Sequence, residues 1–231
     1  IPFLAAWNTR TATIYSQEGV AIAQRLVSWS PYYRVDYDTA PIRAIGVNLI
    51  SHQSMIGRAA PGSPAHAYAL LAQARKTISR VVLLGPAHRV PIRGLALPVA
   101  EAFATPLGDV RVDAEGASAA LKLPQVSASD VAHNLEHSLE VQLPFLQTVL
   151  DDFTLLPFAV GAATPAQAAE VLDLLWGGPE TLILISSDLS HFHAYAEARR
   201  IDGETTDHIL ALEQLTSFDQ ACGALPINGL L

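Results

Sequence analysis

One stretch limits the fold more than any other. Residues 80–84 read Arg-Val-Val-Leu-Leu and run straight into Gly85 and Pro86. A short, unbroken apolar run closed by a glycine and a proline reads as a strand covered on both faces. Such a strand needs neighbouring strands and helices above and below it, which points to a layered α/β domain. The flanking sequence supplies both. Residues 43–50, 94–99, 153–160 and 181–185 are further short apolar runs with strand character. Residues 64–78 have helical spacing through Ala67, Leu70, Leu71 and Ala74, with Ser63 as cap and Pro64 at the first position. Residues 164–176 begin on Thr164 and Pro165 and stop at Gly177 and Gly178. Residues 136–150 and 195–215 are helical in pattern; Pro144 should end or kink the first, and Gly203 lies inside the second. Near the start, 17–29 reads as an amphipathic helix with Val20, Ile22, Ala23 and Leu26 on one side, followed by a turn at 30–33. The alternation predicts a mixed or mainly parallel central sheet with helices on both faces, and 181–185 as one of its central strands.

Composition narrows the function classes. No internal repeat, low-complexity segment or linker divides the 231 residues, so one domain is expected. Half the residues are apolar and 16% are charged, which is enough for a large core and excludes global disorder. No apolar stretch approaches the roughly 18–20 residues of a membrane span. The N-terminal residues carry no export pattern, so a cytoplasmic location is expected. The single cysteine, Cys222, excludes an intrachain disulfide and a multi-cysteine zinc finger. A net charge of −8 without a basic block argues against nucleic acid and anionic membranes as partners.

The eight histidines carry more information than the charge. Five places put a titratable or metal-binding group where a strand should end or a loop begin: His52; His88; Glu136 and His137, read as the start of a helix; Asp188 and His191 within 186–191; and Cys222. Ligands of open α/β sheets bind beyond the carboxyl ends of the strands, where loops distant in sequence converge. Two imidazoles plus a carboxylate or thiolate, with positions left open, hold a catalytic or redox metal. Each residue also has an ordinary structural role to set against this. Asp188 suits a helix N-cap, Glu136 suits the first turn of a helix, and Cys222 can be a small buried hydrophobe. Other signatures are missing: His133 and His137 lack the glutamate of a zincin helix, and there is no G-x-S-x-G elbow.

Four strings occur in order: LLGPAH ending at His88, EHSLEVQLPFL from Glu136, SSDLSHF from Ser186, and QACGALPI around Cys222. Together they resemble the Memo-like family, also called AmmeMemoRadiSam system protein B, over the span from Val81 to Ile227. The resemblance implies a single Memo-like domain over 1–231 that stops before the family's C-terminal strands. It also implies an α/β sandwich with a mixed central sheet, similar to the class III extradiol dioxygenases. Those enzymes hold non-haem iron with two histidines and a carboxylate. Here the resemblance implies one non-haem ion, iron or copper with zinc as the alternative, held by His52, His88 and Cys222. His191 falls on the acid/base histidine, Asp188 on the residue that orients it or a water, and Glu136 and His137 on the pocket. The function implied is a metal-binding protein, with redox catalysis related to the dioxygenases as its leading reading. A non-catalytic module that binds a peptide or small molecule at a vestigial site is one alternative, and a zinc-dependent hydrolase is another. The expected partner is a small-molecule or peptide ligand, and a homo-oligomer is compatible. His88 and Cys222 are expected to converge on one ion, with His191 bordering the same cavity.

Overall fold

The computed structural model describes residue 68 and residues 71–231 in full, together with the backbone of four upstream strands. These are β1 (Asn8–Tyr15), β2 (Ala21–Trp29), β3 (Tyr33–Asp38) and β4 (Ile45–Leu49), paired antiparallel in chain order. The helix expected over 17–29 is therefore largely strand β2. Ile22, Val27 and Trp29 are residues that pleated strands favour, and ladders to β1 and β3 satisfy both edges of the backbone. β4 lies inside the expected 43–50 strand. Of the expected turn, Tyr33 opens β3 and 30–32 lie outside the described residues. Of the expected 64–78 helix, 64–67, 69 and 70 lie outside the described residues; Tyr68 and Leu71 are helical, a 3₁₀ turn follows at Ala72–Ala74, and 75–77 form a turn.

A second sheet positions the chemistry. Its strands are β5 (Arg80–Pro86), β6 (Leu95–Leu97), β9 (Val126–Ala128), β10 (Thr154–Val160) and β11 (Thr181–Ile185), in the order β11-β5-β10-β6-β9. β5 pairs parallel with β10 and β11, β10 pairs antiparallel with β6, and β6 pairs parallel with β9. The sheet is mixed, as the alternation predicts. A separate hairpin joins β7 (Ala102–Thr105) to β8 (Gly108–Arg111), and neither strand was anticipated.

Val81, Val82, Leu83 and Leu84 are fully buried, which is why β5 shows no polar alternation. Successive side chains point to opposite faces. Val81 and Leu83 join Leu155 under Leu143 and Leu146 of α3 (Leu143–Val149). Val82 and Leu84 join Leu156 and Phe158 under Val171 and Leu172 of α4 (Pro165–Leu175). Each fully buried leucine contributes about 1.5–3 kcal/mol. α4 starts where predicted: the Gln167 N–H donates to Thr164 Oγ1 at 3.2 Å, and the Thr164 N–H donates to Gln167 Oε1 at 2.9 Å. The shorter helices are α1 (Ala114–Ala120) and α2 (Asp130–His133) before α3, and α6 (Ala224–Leu230) near the end of the chain.

Three expectations need correction. β11 is an edge strand among the described residues, not a central one. Its all-apolar sequence arises because Leu182 and Leu184 pack into one core and Ile183 and Ile185 into the other. Periodicity reports coverage of the two faces and carries no information about the edges. The 136–150 helix is instead a loop, a 3₁₀ turn at Glu140–Gln142, and then α3. Pro144 has no N–H and is accommodated in the first turn of α3, so the helix begins beside it rather than running through it. The helix expected over 195–215 is α5 (Tyr195–Leu210), which ends ahead of Leu212, a residue with φ of 58°. No described helix is long and apolar enough to cross a membrane.

Candidate metal centre

β5, β10 and β11 run parallel, so their carboxyl ends share one edge of the sheet. β5 ends at Pro86, and Ala87 is tied to β10 by its N–H donating to the Val160 carbonyl at 2.8 Å. His88 follows and is held twice by Glu136. Its backbone N–H donates to Oε2, and its Nδ1 lies 3.0 Å from Oε1. An ionised carboxylate only accepts, so Nδ1 carries the proton and Nε2 is the nitrogen left for other partners. Glu136 Oε1 also accepts from the His137 N–H at 2.8 Å and the Ser138 N–H at 3.0 Å. The Glu136 side chain is 1% exposed. Four donors on a buried carboxylate account for the non-helical backbone here: Glu136 draws its own following N–H groups onto its side chain.

The same loop is fastened to β5. Ser138 Oγ donates to the Pro86 carbonyl at 2.9 Å. A Cβ at Gly85 would sit 2.7 Å from Ser138 Oγ and 2.9 Å from Leu139 Cδ2, so only glycine allows this approach. The rings of His88 and His137 stack with centroids 4.8 Å apart and planes 19° apart.

The electrostatics follow from these contacts. Burial pushes the Glu136 carboxyl up, but hydrogen bonds from His88 and Ser138 outweigh it and hold it at about 2. His88 is raised to about 9, chiefly by the Cys222 thiol beside it and then by Glu136, against the effect of burial. Burial pushes His137 down. Burial also takes His133 down to about 4, and its Nε2 meets the Ala96 carbonyl at 2.9 Å, so it is a core histidine away from the site.

Cys222 reaches His88 from the C-terminal segment. The Asp188 N–H donates to Cys222 Sγ at 3.2 Å, and the Cys222 N–H donates to the Asp188 carbonyl at 3.2 Å. The Gly223 N–H donates to Ser187 Oγ at 2.9 Å. A Cβ on Gly223 would lie 2.7 Å from Ser187 Cβ and 2.8 Å from the Ser186 carbonyl oxygen. The loop after β11 and the cysteine segment are therefore packed backbone to backbone. His88 and Cys222 both border a cavity of about 510 Å³. Its walls come from the β5–β6 loop (Val90, Ile92), the end of β10 (Val160) and the C-terminal segment (Phe218, Leu225).

The structure thus brings His88, Glu136, His137 and Cys222 together, with Asp188 joined to Cys222 through its backbone. His191 stands apart. Its Nε2 lies 3.6 Å from Asp188 Oδ2, both side chains are partly exposed, and it is not part of the wall around His88. His191 sits beside Asp188, whose carboxylate acts in turn on His137. His52 lies outside the described residues. Glu136 and His137 sit in a loop rather than at a helix start, for the reason given above. Ser138, which with Glu140 reads in the EHSLEVQLPFL string as the polar face of a helix, is instead the tie between this loop and Pro86. Sequence reasoning passed over Gln142, which accepts from the Tyr68 hydroxyl at 2.6 Å and donates to Ser186 Oγ at 2.8 Å at the end of β11. Nothing in the pattern marked Phe218.

Ligand atoms of His88, Glu136 and His137 all lie within 4.8 Å of one another, a group that could hold a metal ion. A mixed α/β sheet with a His-Glu-His cluster and a thiol beyond the end of its most buried strand defines the class: an α/β protein with a candidate metal centre. The chain belongs to the Memo-like family, whose model, described as Memo-like protein, matches residues 43–224. It is 36% identical over 183 residues to a MEMO1 family protein of Methanosarcina mazei, covering 72% of this chain and 65% of that one. It is 38% identical over 141 residues to one of Archaeoglobus fulgidus, covering 57% and 52%. A match to one of Aquifex aeolicus reaches 40% over 131 residues, covering 53% and 48%. The chain spans about half to two thirds of the length of these relatives.

Proposed function

We propose that this chain is a non-haem metal-binding protein whose ion, iron or copper, is held by His88 and Cys222, with His52 as a third ligand. The carrying observation is the Glu136 clamp, which fixes the His88 ring through Nδ1 and leaves Nε2 for the Cys222 side. A histidine whose second nitrogen is anchored by a carboxylate is the usual arrangement of a metal ligand. The donor chemistry fits, because imidazole and thiolate suit copper, iron and zinc. When bound, iron or copper supplies electron and dioxygen chemistry, whereas zinc supplies a Lewis acid. Glu136 orients His88 and keeps Nδ1 protonated. The backbone N–H of Asp188 holds the Cys222 sulfur. His191, with Asp188 at 3.6 Å, is the proposed proton donor and acceptor toward a ligand entering from the exposed side.

A second reading places His88, Glu136 and His137 as the ligand set, on their mutual 4.8 Å proximity. The four donors already on Glu136 weigh against it, because the carboxylate would have to release them to bind an ion.

Elemental analysis and anaerobic spectroscopy of the wild type, His88→Ala and Cys222→Ser test the reading. One ion per chain is expected in the wild type, with loading lost in His88→Ala and thiolate-to-metal absorption lost in Cys222→Ser. Unchanged loading in both variants would overturn it. Oxygen uptake with a panel of diols, at full iron loading, tests the redox step. His191→Ala should lower that rate about 10²–10⁴-fold while keeping the metal. No uptake with any diol favours the binding module over the enzyme.

A further inference from the structure

The cavity beside His88 and Cys222 is polar at one end only. Apart from those two residues, its wall is made of Phe218 and aliphatic or glycine positions, and no Lys, Arg, Asp or Glu side chain lines it among the described residues. A charged group placed against the aliphatic part of that wall would lose its hydration without gaining a partner. At about 510 Å³ the space lies within the range of small-molecule sites. Phe218 is the second observation. It is 68% exposed, yet its ring forms part of the cavity wall. A large aromatic left that open at the edge of an apolar cavity is buried by whatever fills the cavity.

We infer that the cavity binds a chiefly aliphatic small molecule with one compact polar head. The head faces His88 and Cys222, the hydrocarbon lies between Ile92, Val160 and Leu225, and Phe218 covers it at the mouth. The inference rests on the proposed centre only for the direction of the head; the apolar selectivity comes from the wall. Phe218 is then the specificity-determining residue, setting how much hydrocarbon is held.

The test titrates n-alkanols from butanol to octanol into the full metal-free chain, followed by amide chemical shifts. Each added methylene should tighten alkanol binding about threefold to fourfold until the wall is covered. Phe218→Ser should weaken octanol about tenfold and butanol far less, and Phe218→Leu should restore most of the loss. Because Phe218 is exposed, neither variant threatens the fold. A flat chain-length series, or octanol affinity unchanged in Phe218→Ser, would each overturn the inference. Metal loading is read separately by elemental analysis. An ion-free protein with a rising alkanol series fails the metal reading alone, and a loaded protein with a flat series fails this one alone.

Discussion

Two histidines follow two parallel strands, and the chain treats them differently. His88, after β5, is held through its ring and its backbone by a carboxylate that is 1% exposed and carries two further N–H donors. His191, after β11, meets a half-exposed carboxylate at 3.6 Å, beyond hydrogen-bond reach. The contrast lies in the carboxylate and not in exposure: the two rings are about equally open, and β5, buried from Val81 to Pro86, ends where the buried Glu136 takes hold of His88. β11 is an edge strand among the described residues, half-buried throughout, and its loop is tied to Gln142, to Asp202 of α5 and to the cysteine segment. The first histidine is built to keep one geometry, and the second is free to adopt the geometry a ligand requires.

The largest effect expected on that contrast comes from Glu136→Gln. The amide keeps the shape but replaces one accepting oxygen with an NH₂ that faces existing donors. Removing one side of a buried charged pair should destabilise the fold by about 3 kcal/mol, at the lower end of the usual range because His88 is partly exposed. Metal affinity should fall about 10–100-fold even though no proposed ligand has changed. Denaturant melts and competitive chelator titration read the two effects separately. Wild-type affinity in this variant would reduce the clamp to a structural feature.

Gly85→Ala should come next, at about 1–3 kcal/mol. Its new methyl would press on Ser138 Oγ and Leu139 Cδ2, disturbing the link from β5 to the Glu136 loop. The loss of stability should be accompanied by weaker metal binding. A destabilised variant with unchanged affinity would uncouple the strand from the centre.

How far this site was legible in the sequence depends on what kind of information each part needs. β5 and α4 were legible because local signals specify them: an apolar run closed by Gly85 and Pro86, and a Thr164 cap with a proline beside it. β2 was misread because its helical spacing was outweighed by pairing on both edges, which no local window contains. The edge position of β11 was hidden for the same reason. Glu136 and His137 were found, but as the start of a helix. The carboxylate's four donors come from residues next to it and from a strand about fifty positions earlier. Only the fold shows that Glu136 uses the N–H groups a helix would have taken. Phe218 was invisible, since an exposed aromatic acquires meaning only beside a cavity.

Acidity loosens the His88–Glu136 pair more gently than either substitution. His88 is raised from 6.5 to about 9, so its contribution to the stability of the metal-free fold is complete below pH 6.5 and is lost as pH rises through about 9. Glu136 is lowered from 4.5 to about 2, so its contribution is complete above pH 4.5 and is lost as pH falls through about 2. The pair therefore supports the metal-free protein most between about pH 4.5 and 6.5. A ligand imidazole must give up its Nε2 proton, so metal uptake at pH 7.5 should release protons. Loading followed in a weakly buffered indicator dye measures that release. Uptake without it would mean that the ion bypasses His88.

The smallest effect should come from the other histidine. His191→Ala removes a partly exposed ring whose contact with Asp188 is loose and shared with water. Exposed ion pairs of this kind contribute little, so the melting transition should shift by no more than about 0.5 kcal/mol equivalent. Metal affinity should equal that of the wild type. The Cys222 sulfur should also keep its place, because Asp188 holds it through the backbone N–H and not through the carboxylate that faces His191. Asp188→Asn leaves the same backbone contact intact and should match His191→Ala in both measurements. A loss of affinity in His191→Ala approaching that of Glu136→Gln would place the ring against the ion. The contrast between a fixed and a free histidine would then give way to a centre that draws on both strands.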